Sequence, residues 1–252
     1  MVRTRQPTIE RALEVVEAEI ELVSTERDAF ERFLSRLHEV QPAGRETVTT
    51  DAGPAAMATT EPTVSPGIER IRRAYRETVM AVPHYEREYG DTLAGSLSAE
   101  VGAPLARHVA DGAGLPPSVY RSLVEATERT HSQRGEFIGV LERERDSLQS
   151  AASDLDAIER RVVELGRAIP DASSDDLSTL DRKLARMETR CTDLANRRAE
   201  LIHNRSVREI SGIEGVSLLQ YLYGDAETAT PALSDVADCL DTVRRQRERC
   251  LR

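Results

Sequence analysis

SVYRSLVEATERTHSQRGEFIGVLERERDSLQSAASDLDAIERRVVELGRAIPDASSDDLSTLDRKLARMETRCTDLANRRAELIHNRSVRE (118–209) is the stretch that decides the architecture. Its first part carries Leu123, Phe137, Leu141, Leu148, Ala151, Leu155, Ile158, Val162, Leu165 and Ile169, separated by threes, fours or their sums. That is the a/d spacing of a heptad repeat, with Thr127, Thr130, Arg134 and Glu144 as polar interruptions. Leu177, Leu180, Leu184, Met187, Cys191, Leu194 and Leu201 repeat the spacing in the second part. Between the two, IPDASSDD (169–176) supplies a proline stop and then a Ser/Asp-rich helix start. The pattern predicts an all-α fold, a long coiled-coil helical hairpin with a small helical head and no β-sheet.

Composition points the same way. Of 252 residues, 39% are hydrophobic, 31% are charged and only 4% are aromatic, with no tryptophan. Aromatic side chains dominate the energetics of compact cores, so this balance suits elongated helices that bury a narrow stripe and solvate the rest. The 34 basic residues include a single lysine, Lys183, and stand against 44 acids. An acid-rich, lysine-poor composition resembles the proteomes of extremely halophilic archaea, where carboxylates keep a surface hydrated at high salt. A GC-rich genome favouring arginine codons gives part of the same signature. The formal net charge of −10 repels itself when salt does not screen it.

The first thirty residues are charged and amphipathic, unlike a signal peptide, and no run approaches the roughly 18–20 apolar residues that cross a bilayer. A cytoplasmic location without membrane insertion is expected. Cys191, Cys239 and Cys250 fall in helical patterns and lack a Cys-x-x-Cys pair, so they read as small buried or half-buried thiols rather than a disulfide frame or zinc site.

Five segments are expected: an N-terminal coiled-coil helix (1–40), a linker (41–67), a short-helix head (68–117), the hairpin stalk (118–210) and C-terminal helices (211–252). The N-terminal helix opens near Pro7 and ends near Val40. Its seam is Ile9, Leu13, Val16, Ile20, Val23, Arg27, Phe30, Leu34 and Leu37. Residues 41–67 are rich in Pro, Gly and Thr and read as flexible linker. Ile68, Ile71, Tyr75 and Val79 then line one short helix that Pro83 stops, and a further helix holds Leu97, Val101, Leu105 and Val109. Tyr75, Tyr85, Tyr89 and Tyr120 concentrate here and predict a compact core on the opening turns of the long helix.

RAYRETVMAVPHYEREYGDTLAGSLSAEVG (73–102) and SLLQYLYGD (217–225) resemble an uncharacterised haloarchaeal family of helical proteins, over about residue 68 to the C terminus. The resemblance implies source and helical fold. That family has no assigned activity or catalytic residues, so it transfers no site.

Beyond residue 210, Gly212 and Gly215 break the pattern, and Leu218, Leu219, Tyr221, Leu222 and Tyr223 form a short apolar helix. Thr230 and Pro231 open the last helix, with Leu233, Val236, Leu240, Val243 and Cys250 at heptad spacing. The hairpin arms are unequal: at 1.5 Å per residue the first spans about 80 Å and the second about 50 Å. The surplus, about 118–140, is left to pack with the tyrosine-rich short helices. The N-terminal helix either folds back as a third strand of the stalk or pairs between subunits.

Candidate chemistry is thin. Glu128/His131 and Glu200/His203 form two Glu-x-x-His motifs, a spacing that presents both ligands on one helix face in di-iron bundles. Their stagger along a straight hairpin, about 15 Å, separates them too far for one metal centre. His84 and Tyr85 with Glu86, Glu88 and Asp91 could transfer protons, but line a core or rim on the structural reading. Arg205, Arg208, Arg244, Arg245, Arg247, Arg249 and Arg252 make two helix ends positive, which helix dipoles favour without any nucleic acid. Arg27, Arg134 and Arg198 sit on seam positions, their stems packed and their guanidinium groups reaching a carboxylate, or else selecting helix register. No nucleophile elbow, phosphate loop or dinucleotide fingerprint is present. The expectation is a non-enzymatic scaffold or interaction protein with no catalytic, metal or cofactor residues. It would bind a protein partner or itself through helical seams; the alternative is a regulator contacting nucleic acid through the Arg-rich C-terminal helix.

Overall fold

The proline-stopped, Ser/Asp-capped hairpin of the sequence is present in the computed structural model, which describes residues 8–40, 64–88, 90–206 and 217–252. The helices are α1 (Thr8–His38), α2 (Pro66–Thr78), α3 (Tyr85–Glu88), α4 (Leu93–Val101), α5 (Ala103–Asp111), α6 (Pro117–Ala168), α7 (Ser174–Ser206), α8 (Leu218–Tyr223) and α9 (Pro231–Cys250). No strand occurs among the described residues. The linker lies outside them up to residue 63, as do Tyr89, Arg208, Gly212 and Gly215.

The bend between α6 and α7 is built by local chemistry. A 3₁₀ turn over Ile169–Asp171 carries Pro170, which cannot donate to a continuing helix. Ser173 then caps α7: its Oγ accepts from the Asp176 backbone at 3.3 Å and donates to the Asp176 carboxylate at 2.6 Å. Donation from Ser173 Oγ, and from the Ser173 backbone N–H, holds the Asp176 carboxyl below the usual carboxylate range.

The helix expected to carry Leu97, Val101, Leu105 and Val109 is two helices, α4 and α5. Gly102 separates them at φ 90°, a conformation glycine adopts without steric cost, and Pro104 follows in the first turn of α5.

The described chain divides into two compact units, one comprising Met1–Ile20 with Gly139–Arg252 and the other Glu21–Ile138. In the first, α7 runs antiparallel to the later part of α6, joined by Arg197–Asp154 and Arg198–Glu144. It packs most closely on α9, again antiparallel, with Arg247 on Asp181, Arg244 on Glu188 and Cys191 beside Cys239. Leu148, Ala151, Leu155, Ile158, Val162, Leu165, Leu180, Leu184 and Leu194 are buried, each large one stabilising by roughly 1.5–3 kcal/mol. Leu201, expected in the seam, is 42% exposed, and Arg198 takes the buried position one turn earlier.

The start of α1 docks on the start of α9 in the same chain. The Ile9 N–H donates to Asp235 Oδ2 at 2.8 Å, and the Thr8 N–H to Oδ1 at 3.1 Å. Asp235 thus satisfies two of the donors every helix N-terminus leaves open, with its charge at the positive end of the helix dipole. Asp235→Ala is expected to cost about 1–2 kcal/mol. Amide exchange should show it as protection lost from the first turn of α1 while α9 keeps its own.

The second unit packs Phe30, Phe33, Leu37, Ile68, Ile71, Tyr75, Leu97 and Leu123 into one core. Phe33 meets Tyr75 edge-on with ring centroids 5.1 Å apart, and the Tyr75 hydroxyl shares a 2.9 Å hydrogen bond with Ser96. Arg72 closes the end of α5, donating to the carbonyls of Val109 and Gly112. Burial pushes the Tyr75 phenol up, so it stays protonated.

Along α1 the heptad frame holds at Ile9, Val16, Val23, Phe30 and Leu37, all buried. Neither Glu19 nor Ile20 is buried, and in the other repeats the second buried position is not the expected one. Ala12, Glu26, Phe33 and Val40 are buried, whereas Leu13, Arg27 and Leu34 are half-exposed. Apolar spacing alone favoured the leucines. Glu26 takes the inner place because its charge is matched there.

Candidate functional site

Glu26 is the entry to the most elaborate polar cluster of the second unit. Its carboxylate comes from α1 and accepts from Arg134 Nε, on α6, at 2.9 Å. The same guanidinium donates from Nη1 and Nη2 to both oxygens of Glu100, on α4, at 3.0 and 2.8 Å. Its carbon lies 4.5 Å from the centre of the Phe30 ring, within cation–π range. His84, in the turn before α3, places Nε2 3.2 Å from the second oxygen of Glu26. α1 and α4 therefore converge on the guanidinium of α6, and the turn before α3 reaches it through Glu26. Burial alone would lower the Arg134 pKa, but the bidentate Glu100 and the charge of Glu26 outweigh it and raise it. The pocket beside the cluster, lined by Tyr85, Ser96 and Val82 among others, has a volume of about 40 Å³, room for a few waters.

His84 thus finds its partner in Glu26, 58 positions away, while Glu86 and Asp91 of its own loop are exposed. The side chain of Glu88 lies outside the described residues. Of the residues in this cluster, the sequence reading singled out Arg134 and His84 and missed Glu26 and Glu100. The signal for Glu26 was its place three residues after Val23 and four before Phe30, on the apolar face.

The first unit holds a second buried network. Arg198, 3% exposed, forks onto the fully buried Glu144 through both terminal nitrogens. Arg198 Nη1 also donates to Ser147 Oγ at 2.8 Å, and the Tyr223 hydroxyl of α8 donates to Glu144 at 3.1 Å. The two charges lie equally far from Asp171 at the bend, which is the register in which antiparallel arms bring residues face to face. Arg134 and Arg198 both meet carboxylates inside the protein instead of reaching outward. Arg27 is half-exposed and meets its neighbour Asp28 at 3.3 Å.

Glu128 and His131 belong to one unit, Glu200 and His203 to the other, and Glu128, Glu200 and His203 are exposed. Among the described residues no group of three or more His, Cys, Asp or Glu could hold a metal ion, and no helix is long and apolar enough to cross a membrane.

The arginines of α9 are tied to α7 and to each other's neighbours. Arg244 donates to Glu188 at 3.0 Å, Arg247 to Asp181 and Glu188 at 2.8 and 2.6 Å, and Arg249 to Gln246. The Arg244 and Arg247 hydrogen bonds hold the Glu188 carboxyl below its ordinary range, against a smaller opposing effect of burial. Because its folded value is depressed, its stabilisation is present at neutral pH and is lost as pH falls through the carboxylate range. Screened by solvent, it amounts to about 0.5 kcal/mol. Urea midpoints between about pH 7 and 3 should fall more steeply in the natural protein than in Glu188→Gln.

An all-α protein whose buried charges pair with one another is the class that this geometry defines. The chain belongs to the family described as a domain of unknown function, DUF7260, matched over residues 7–247. That span takes in α1 and the linker as well as the region from about residue 68 that carried the resemblance. No curated protein and no solved structure matches the chain.

Proposed function

We propose that this protein is a non-enzymatic helical scaffold that works by binding another protein. One observation carries the reading: the inward-facing arginines Arg134 and Arg198 are bonded to carboxylates of the chain's own helices. Arg134 holds Glu26 and Glu100, and Arg198 holds Glu144, so these groups join helices rather than await a substrate. The heptad spacing of α6 and α7 supports coiled-coil packing between them. Leu155 and Leu184 are buried within the chain's own unit, so partner recognition falls to outward helix faces, where Val163 is 50% and Leu201 42% exposed. The pairing of Arg244 and Arg247 with α7 weighs against the nucleic-acid alternative, since engaged guanidinium groups release fewer phosphate counterions.

Affinity isolation of the tagged full-length protein at about 2 M KCl, with and without nuclease, tests the proposal. High salt suppresses phosphate-driven binding and screens the net charge. The expected result is a stoichiometric protein partner, unaffected by nuclease and lost from Val163→Glu/Leu201→Glu. A partner that disappears with nuclease, or on replacing Arg244, Arg245, Arg247 and Arg249 by Gln, would instead establish the nucleic-acid regulator.

A further inference from the structure

The first unit contains a pair of thiols that neither the networks nor the proposed function uses. Cys191 of α7 and Cys239 of α9 lie 48 positions apart in sequence and 3.7 Å apart at sulfur. Both are buried, at 0% and 4% exposure. α7 and α9 are the most closely packed helices of the unit, with Cα atoms of facing residues within 8 Å. Each contributes a side chain small enough for the sulfurs to meet between them. A disulfide needs its sulfurs at about 2.05 Å, so the two would close from 3.7 Å to bond.

We propose that Cys191 and Cys239 are a redox site that closes to an intramolecular disulfide, fastening α9 to α7. The chemistry divides unequally between the two sulfurs. The Cys239 hydrogen bond pulls the Cys191 thiol below its ordinary range; burial opposes this and Arg190 assists. The same hydrogen bond and burial push the Cys239 thiol up. Cys191 is therefore the thiolate that reacts first and Cys239 the thiol that resolves it.

With a peroxide as oxidant the steps balance. The Cys191 thiolate attacks one oxygen of hydrogen peroxide, breaking the O–O bond and giving a sulfenic acid and hydroxide. Cys239 then attacks the sulfenic sulfur, forming the S–S bond and releasing water. In sum, two thiols are oxidised by two electrons while one peroxide becomes two waters. Cys250 at the end of α9 is also buried, and its thiol is pushed up by burial, so it serves as an internal control.

Full-length protein is treated with a small excess of hydrogen peroxide, denatured, alkylated and mapped by mass spectrometry. The expected result is that Cys191 and Cys239 escape alkylation and appear in one linked peptide pair, while Cys250 remains alkylated. A dithiol reductant should reverse the linkage. The oxidised chain should run as a monomer without reductant and melt about 5–10 °C higher than the reduced one. Cys239→Ala should leave Cys191 as sulfenic or sulfinic acid with no linked pair. Cys191→Ser should leave Cys239 alkylatable, so the two variants provide independent controls. Linkage through Cys250, linkage between chains, or three alkylatable thiols after treatment of the natural protein would overturn the proposal.

Discussion

Arg134→Met is expected to destabilise the second unit by about 3–5 kcal/mol, measured as a lower urea or guanidinium midpoint. The substitution keeps most of the packing volume over Phe30 but removes the cation shared by Glu26 and Glu100. Two partly buried carboxylates then lose the guanidinium they share, and breaking a buried pair by removing one partner costs more than the pair itself contributes. Arg134→Lys should lose less, because it keeps the charge while giving up the two-pronged bond to Glu100. A loss below about 1 kcal/mol for Arg134→Met would mean that solvent already screens the cluster.

The same physics gives a sharper result in the first unit. Arg198→Met alone and Glu144→Leu alone should each cost about 3–5 kcal/mol, since each leaves a deeply buried partner charge. The double variant should cost much less than the sum of the two, because it removes both charges together. Its residual loss reports on Tyr223 and Ser147, whose hydroxyl groups would lose the partners they have here. Additive losses would show that the two charges do not act as a pair.

The contrast between these networks explains what the sequence made legible. Helices, bend and caps were readable because they depend on local chemistry: Pro170 stops one arm, Ser173 with Asp176 starts the next, and threes and fours mark the buried stripe. Glu144 and Arg198 were visible as polar interruptions of that stripe. Their partnership was implicit in their equal distance from the bend, yet spacing rules judge positions one at a time.

Glu26 was not legible for a different reason. Its partners, Arg134 and His84, lie 108 and 58 positions away, and only tertiary structure brings them together. A hydrophobicity pattern therefore chose Arg27, Leu13 and Leu34 over Glu26, Ala12 and Phe33. Leu201 failed in the opposite direction: it has the right residue type at the right spacing, but it is exposed in the last turns of α7. Gly102 shows a third limit. Val101 and Leu105 keep a helical interval across it, while the backbone turns through a conformation that only φ reveals.

If the protein works as proposed, the interior charges hold the helices together and the outer faces do the recognising. The most direct test replaces the whole second-unit cluster at once, Glu26→Gln with Glu100→Gln and Arg134→Met, and repeats the affinity isolation under the same salt. The expected result is a folded, helical protein that still captures its partner in undiminished yield. A variant that folds with unchanged helicity but no longer captures the partner would contradict it, and would make the cluster around Arg134 the functional site.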